Sequence, residues 1–121
     1  MADCILVGLG GFVGTVLRYL IGLLPVKASS GFPVKTLMIN VIGSFVIGAL
    51  AVLAAKNKAL DPRIVLVLKV GVCGGFTTFS AFAFETADLM QSGNIGVAIC
   101  YMILSIVLGV AAVFGAQFLL R

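Results

Sequence analysis

Four long apolar stretches, separated by breakers or charges, decide what this chain can fold into. A helix rises about 1.5 Å per residue, so roughly 20 apolar residues cross a hydrocarbon core about 30 Å thick. Stretches of that length run over about 4–24, 34–55, 62–90 and 94–120. Pro25 follows the first; the second is entered after Pro33 and closed by Lys56, Asn57 and Lys58. The third starts after Asp61, with Pro62 in the first turn, where a missing N–H costs nothing. The connectors are short: 25–33 is rich in Pro, Lys, Ser and Gly, 56–61 is charged, and Gln91-Ser92-Gly93 is a polar turn. Only 10% of residues are charged against 62% hydrophobic, far below the roughly 25% charged of soluble domains. The pattern predicts an all-α membrane protein, one domain over 1–121, with four transmembrane helices. No stretch is left for a soluble domain, so any function lies within the bilayer or at its faces.

Several function classes fall away at once. Without histidine the chain lacks the commonest metal ligand and the commonest acid or base near neutral pH, so hydrolytic or metal-assisted chemistry is not expected and the chain is not read as an enzyme. Cys4, Cys73 and Cys100 lie inside apolar runs without the paired spacing of metal sites and read as small hydrophobes. Met1-Ala2-Asp3 carries no basic region ahead of the first apolar run, which therefore reads as structure rather than as a signal peptide. The net charge of +4 comes from scattered basic residues, which suits membrane ends and not nucleic acid. Gly8-Leu9-Gly10-Gly11-Phe12-Val13-Gly14 resembles a dinucleotide loop only superficially, for no strand precedes it. Gly10 and Gly14 instead make the small-xxx-small spacing of close helix packing.

The four spans place both termini on one side, so the basic residues of alternate loops set orientation. Lys56, Lys58, Arg63 and Arg121 stand on one side and Lys27 and Lys35 on the other. So small a bias permits either a fixed orientation or insertion both ways with head-to-tail pairing.

The third stretch contains Gly71-Val72-Cys73-Gly74-Gly75-Phe76-Thr77-Thr78-Phe79-Ser80, in which paired glycines and then two threonines predict a break near mid-membrane. Irregular backbone at that depth survives only when buried or lining a cavity. Freed carbonyls suit a hard cation such as sodium, and freed N–H groups of the following half-helix suit an anion; the bland reading is that the glycines only let helices pack closely. Phe79 and Phe82 are three apart, hence on one helical face, with Thr78 and Ser80 beside them. Their positive ring edges could face an anion, or they could simply pack. Asn40, with Ser44 on the same face, offers two amide donors to an anion or acts as interhelical glue. Intramembrane charges are expensive: Arg18 and Asp88 lie near span ends and can reach the interface, while Glu85 invites pairing with Arg18 or Lys69.

These residues resemble the CrcB, or Fluc, family of fluoride channels. The resemblance covers nearly the whole chain: Gly10-Gly11-Phe12-Val13-Gly14 with Arg18-Tyr19, Asn40 with Gly43-Ser44, and above all Gly74-Gly75-Phe76-Thr77-Thr78-Phe79-Ser80-Ala81-Phe82. It implies an antiparallel, dual-topology homodimer with two fluoride pores, or a heterodimer with a paralogous chain, in a bacterial inner membrane. It also implies a sodium ion at the dimer centre, held by the Gly74 and Thr77 carbonyls. Phe79 and Phe82 would turn ring edges to fluoride, Asn40 would donate at a pore end, and Ser80 and Ser105 would line the pore. Tyr101 and Ser105, four apart in the last span, would share one polar face. Gly109 stands on that face where relatives place serine, Ala81 replaces a hydroxyl-bearing residue, and Lys69 adds a charge. The function implied is passive, selective fluoride efflux that relieves fluoride toxicity, with lipid and fluoride as partners. Two rivals are a proton-coupled multidrug-type exporter, which needs an acidic residue deep in the first span, and a non-transporting subunit whose glycines and phenylalanines only pack.

Overall fold

The computed structural model describes residues 1–121 and contains only helices. The first helix, Ala2–Gly22, stops short of the expected end at 24 because the Lys35 amine reaches back to donate to the Gly22 carbonyl at 2.8 Å and so closes that terminus. Gly31, with φ of +80°, turns the first loop toward Pro33, and the second helix follows over Val34–Lys56. Lys56 ends that helix and donates to the Leu120 carbonyl, tying the ends of the second and fourth helices together.

The third span covers Pro62–Gln91 and is not one regular helix. Asp61 caps its start by accepting from the Arg63 N–H at 2.9 Å. An α-helical turn, Pro62–Leu66, passes into a π-helical stretch, Val67–Cys73, and then into a last α turn, Gly74–Phe76. Thr77 and Thr78 are extended, and a second half-helix runs over Phe79–Gln91. The π stretch was not foreseen; such i→i+5 winding has no sequence signature of its own and collects at functional places. Gly93, at φ +89°, turns the chain into the fourth helix, Ile95–Leu120.

Packing divides the helices into two pairs. The first helix lies against the π-helical half of the third span, with backbones in near contact. A side chain at Gly14 would collide with the Val72 carbonyl, and one at Gly10 would come within 2.8 Å of the Val67 carbonyl. The small-xxx-small spacing therefore does what its pattern predicts. The second helix lies along the fourth, where Gly48 faces Val113 and Ala116, and the second half-helix also rests on the fourth.

Only 14 of 121 residues are buried, while leucines, isoleucines and phenylalanines are exposed along every helix. Water would not tolerate that surface; lipid or a second protein would. All four spans are long and apolar enough to cross a membrane.

Candidate functional site

The break in the third span is held open by one side chain. Asn40 accepts from the Thr78 N–H at 2.8 Å and donates from its own amide to the Thr78 carbonyl at 3.1 Å. A two-bond clamp of this kind replaces the helical partners that extended backbone gives up. Thr78 then caps the second half-helix, its hydroxyl accepting from the Ala81 N–H at 3.1 Å, and the Thr77 hydroxyl donates back to the Cys73 carbonyl at 2.8 Å. The break thus falls at the threonines, after the glycine pair. Gly74 and Gly75 remain helical, and Gly75 is needed for close approach to Gly11.

Next to this clamp is a cleft of about 320 Å³ lined by Asn40, Ser44, Thr77, Phe79, Phe82 and Ser105. The Phe79 and Phe82 rings stand 5.7 Å apart with planes tilted by 46°. Phe79 is 78% exposed in the single protomer, so one of its faces is left for lipid or a partner. One expectation for Asn40 needs correction: it does not have two free amide donors, because one is spent on Thr78. A single N–H remains for anything in the cleft.

A second polar group adjoins the cleft through Phe82. The Thr36 hydroxyl donates to the Glu85 carboxylate at 3.0 Å. Beside them the Tyr101 hydroxyl approaches both residues. Tyr101 is fully buried, its ring between Phe32 at 5.4 Å and Phe82 at 5.1 Å. The expected pairing of Glu85 with Arg18 or Lys69 is absent. The first turn of the second helix brings Thr36 to Glu85 instead, while the one ion pair joins Arg63 to Asp3 at 3.2 Å on the opposite end of the bundle.

Three buried side-chain atoms have no hydrogen-bond partner: a Glu85 carboxylate oxygen, the Tyr101 hydroxyl and the Ser105 hydroxyl. Proteins rarely leave such atoms unpaired, because each forfeits its hydration for nothing. Tyr101 and Ser105 follow each other on one helical face, and Ser105 opens on the cleft. The three atoms therefore put unmet polarity on residues that adjoin one another or the cleft, Glu85 beside Tyr101 and Ser105 in the lining with Phe79 and Phe82.

Comparison with known proteins shows the family. The family described as CrcB-like protein, Camphor Resistance (CrcB), matches residues 5–117. The chain belongs to the CrcB family. Relatives called fluoride-specific ion channel FluC are similar along almost their entire length. The one from Chlorobaculum tepidum is 41% identical over 121 residues, covering 100% of this chain and 96% of the relative. That from Chlorobium luteolum is 46% identical over 110 residues (91% and 85%), and that from Agrobacterium fabrum 42% over 117 (94% and 92%). With its four apolar spans, this member of the CrcB family is a multi-pass integral membrane protein.

The remaining expected residues of this CrcB chain are distributed unevenly. Ser80 is exposed and outside the cleft, its hydroxyl 3.3 Å from that of Thr78. Tyr101 does not line the cleft and meets it only through Phe82 and Ser105. Gly74 faces open space. Its carbonyl and that of Thr77 lose the donors a continuous helix would supply, since the Thr78 N–H goes to Asn40 and the Ala81 N–H to the Thr78 hydroxyl. Gly109 is faced by the Ser44 hydroxyl, 3.7 Å from where a side-chain carbon would stand. That hydroxyl already donates to the Asn40 carbonyl at 2.7 Å.

Thr36 and Phe32 went unnoticed in the sequence. Thr36 carried a usable signal: residues 36, 40 and 44 are all polar, spaced by four on an otherwise apolar helix, hence on one face. Phe32 carried none, because a single aromatic in a loop has no periodicity to betray its target.

Proposed function

We infer that this chain is a fluoride-selective channel, working as a dimer that exports the ion passively from a bacterial cell and so relieves fluoride toxicity. The observation that carries the reading is the set of unpartnered buried polar atoms at Glu85, Tyr101 and Ser105 by the Phe79–Phe82 cleft. A small anion must exchange water for protein donors at every step, and conduction requires those contacts to be weak and repeated. The Tyr101 and Ser105 hydroxyls and the remaining Asn40 N–H are uncommitted donors. The edges of Phe79 and Phe82 add positive character without a full charge that would trap the ion. The anion gradient and the membrane potential drive the flow, and no bond is made or broken in the transported ion.

The partner in this reading is a second copy of the chain, inserted the opposite way, or a paralogous chain. The high exposure of Phe79 and the open face at Gly74 support a partner there. The Gly74 and Thr77 carbonyls, freed from the helix ladder, are hard oxygen donors of the kind sodium needs, and no group of carboxylates, cysteines or histidines offers a competing metal site. Two carbonyls from each of two chains would hold the ion at the dimer centre, where it would supply fixed positive charge and tie the two breaks together.

The exporter reading loses its required group: the first helix has one carboxylate, Asp3, at its exposed end and paired with Arg63. Liposomes containing only this purified chain test the channel reading. With valinomycin clamping the potential, a fluoride electrode should record fast fluoride loss while chloride is retained, and Phe79→Ala should stop the loss in dimers that still form. Retention of fluoride by liposomes carrying folded dimers would overturn the homomeric reading.

A further inference from the structure

We propose that Phe32, in the loop between the first two helices, is a positioning residue for conduction: it clamps the Tyr101 ring so that the tyrosine hydroxyl stays beside Glu85. The proposal rests on the channel reading above and adds a residue outside the helices to it. Phe32, Tyr101, Phe82 and Phe79 form an unbroken row of rings, with successive centroids 5.4, 5.1 and 5.7 Å apart. The row starts in a loop and ends in the cleft. Phe32 meets Tyr101 nearly edge to face, at 76°, the geometry aromatic pairs favour.

The loop is built to hold that ring in place. Gly31 takes a positive φ of +80°, and its N–H donates to the Ala28 carbonyl at 3.1 Å, turning the chain inward. The Val34 N–H donates to the Phe32 carbonyl at 2.8 Å, and Pro33 fixes the backbone between them. Phe32 thereby packs on the buried cluster of Leu89, Ala98 and Tyr101. Its other side borders a cleft of about 260 Å³ that also reaches Thr36 and Glu85. Phe32 is therefore the wall between that cleft and the tyrosine.

Tyr101 needs such a wall because its polar end is weakly held. Its hydroxyl is buried beside Glu85 and Thr36 without a well-formed hydrogen bond, so packing around the ring sets its position. Phe82 supplies one aromatic neighbour and belongs to the proposed pore; Phe32 supplies the other and does not line the pore cleft. Without Phe32, the Tyr101 ring is free to swing into the outer cleft and carry its hydroxyl away from Glu85.

The test pairs Phe32→Leu, which keeps apolar bulk but removes the ring, with Phe32→Tyr, which keeps the ring. Fluoride flux from liposomes is measured for both, beside wild type. Tyr101 is followed by fluorine NMR of fluorotyrosine-labelled protein in a Tyr19→Phe background, which leaves Tyr101 the only labelled site in the wild-type and Phe32→Leu chains, since the sequence has two tyrosines; the additional resonance of Phe32→Tyr is assigned from a Phe32→Tyr, Tyr101→Phe chain. Phe32→Leu should slow fluoride loss on the order of tenfold, the effect of losing one well-placed polar contact, and shift the Tyr101 resonance. Phe32→Tyr should restore both to near wild type. Wild-type flux in Phe32→Leu, or slowed flux with an unmoved Tyr101 resonance, would overturn the proposal. Absence of flux in the wild type would instead sink the channel reading, and the resonance would still report whether Phe32 positions Tyr101. Should Phe32→Leu fail to fold while Phe32→Tyr folds, the loop ring is a folding element and the positioning role is wrong.

Discussion

The two sides of this bundle are held together by opposite means. Where the first helix meets the third span, side chains are almost eliminated: Gly10, Gly14, Gly71 and Gly75 bring backbone against backbone, and the Thr15 hydroxyl donates to the Gly75 carbonyl at 3.5 Å. Where the second helix, the second half-helix and the fourth helix meet, Gly48 makes one close contact, but Asn40, Thr36, Glu85, Tyr101 and Ser105 also stand there and part of their polarity is unspent. The first contact leaves no room for an added atom at its four glycines. The second gives up stability, since unpaired buried polar atoms cost free energy that apolar residues would not. That difference separates a side that holds the fold from the side to which we assign the ion.

The comparison can be broken in order of expected effect. Gly14→Val places a branched side chain on the Val72 carbonyl and should cost about 3 kcal/mol or more. Size-exclusion chromatography and thermal unfolding in detergent should show little assembled protein, and a well-folded Gly14→Val would refute the claim of direct backbone contact. Asn40→Ala removes both bonds of the Thr78 clamp and strands a backbone N–H and carbonyl. It should cost about 1–3 kcal/mol and abolish fluoride flux in the protein that still folds. Ser105→Ala sharpens the contrast, because it removes a hydroxyl that bonds to nothing. Its unfolding temperature should be unchanged or slightly raised while flux falls severalfold; a loss of stability would mean the hydroxyl serves the fold. Arg63→Ala breaks an exposed ion pair with both side chains more than half accessible. It should change stability by less than about 1 kcal/mol and leave flux unaltered, which marks the background against which the other three are read.

Part of this architecture follows from local composition, and part does not. The four helices were legible because length and apolar continuity suffice for a span, and the break was legible because glycines and threonines interrupt that continuity. Its exact site was not: Thr77 and Thr78 leave the helix because Asn40, 38 residues away in sequence, meets the Thr78 backbone. The π-helical stretch was invisible for a similar reason, as it answers to close packing against the first helix and not to any residue pattern of its own. Glu85 was rightly singled out as an expensive group, yet its partner was misjudged; the sequence offers distant cations, and the fold brings a neighbouring threonine instead. Asn40 was legible as a polar residue with work to do, but not that half of its donors would be used to hold the break.

Taken alone, the order of residues determined the environment, the number of spans, the close-packing glycines and the membership of a family, since each of these depends on local composition or on strings that stay contiguous. Tertiary structure alone decided which side chains meet: Asn40 with Thr78, Thr36 with Glu85, and Phe32 with Tyr101. The physical reason is that in an apolar solvent every helix can form by itself, so local rules fix the helices. The pairing of the few polar groups depends on how those helices turn and approach one another, which no single segment contains.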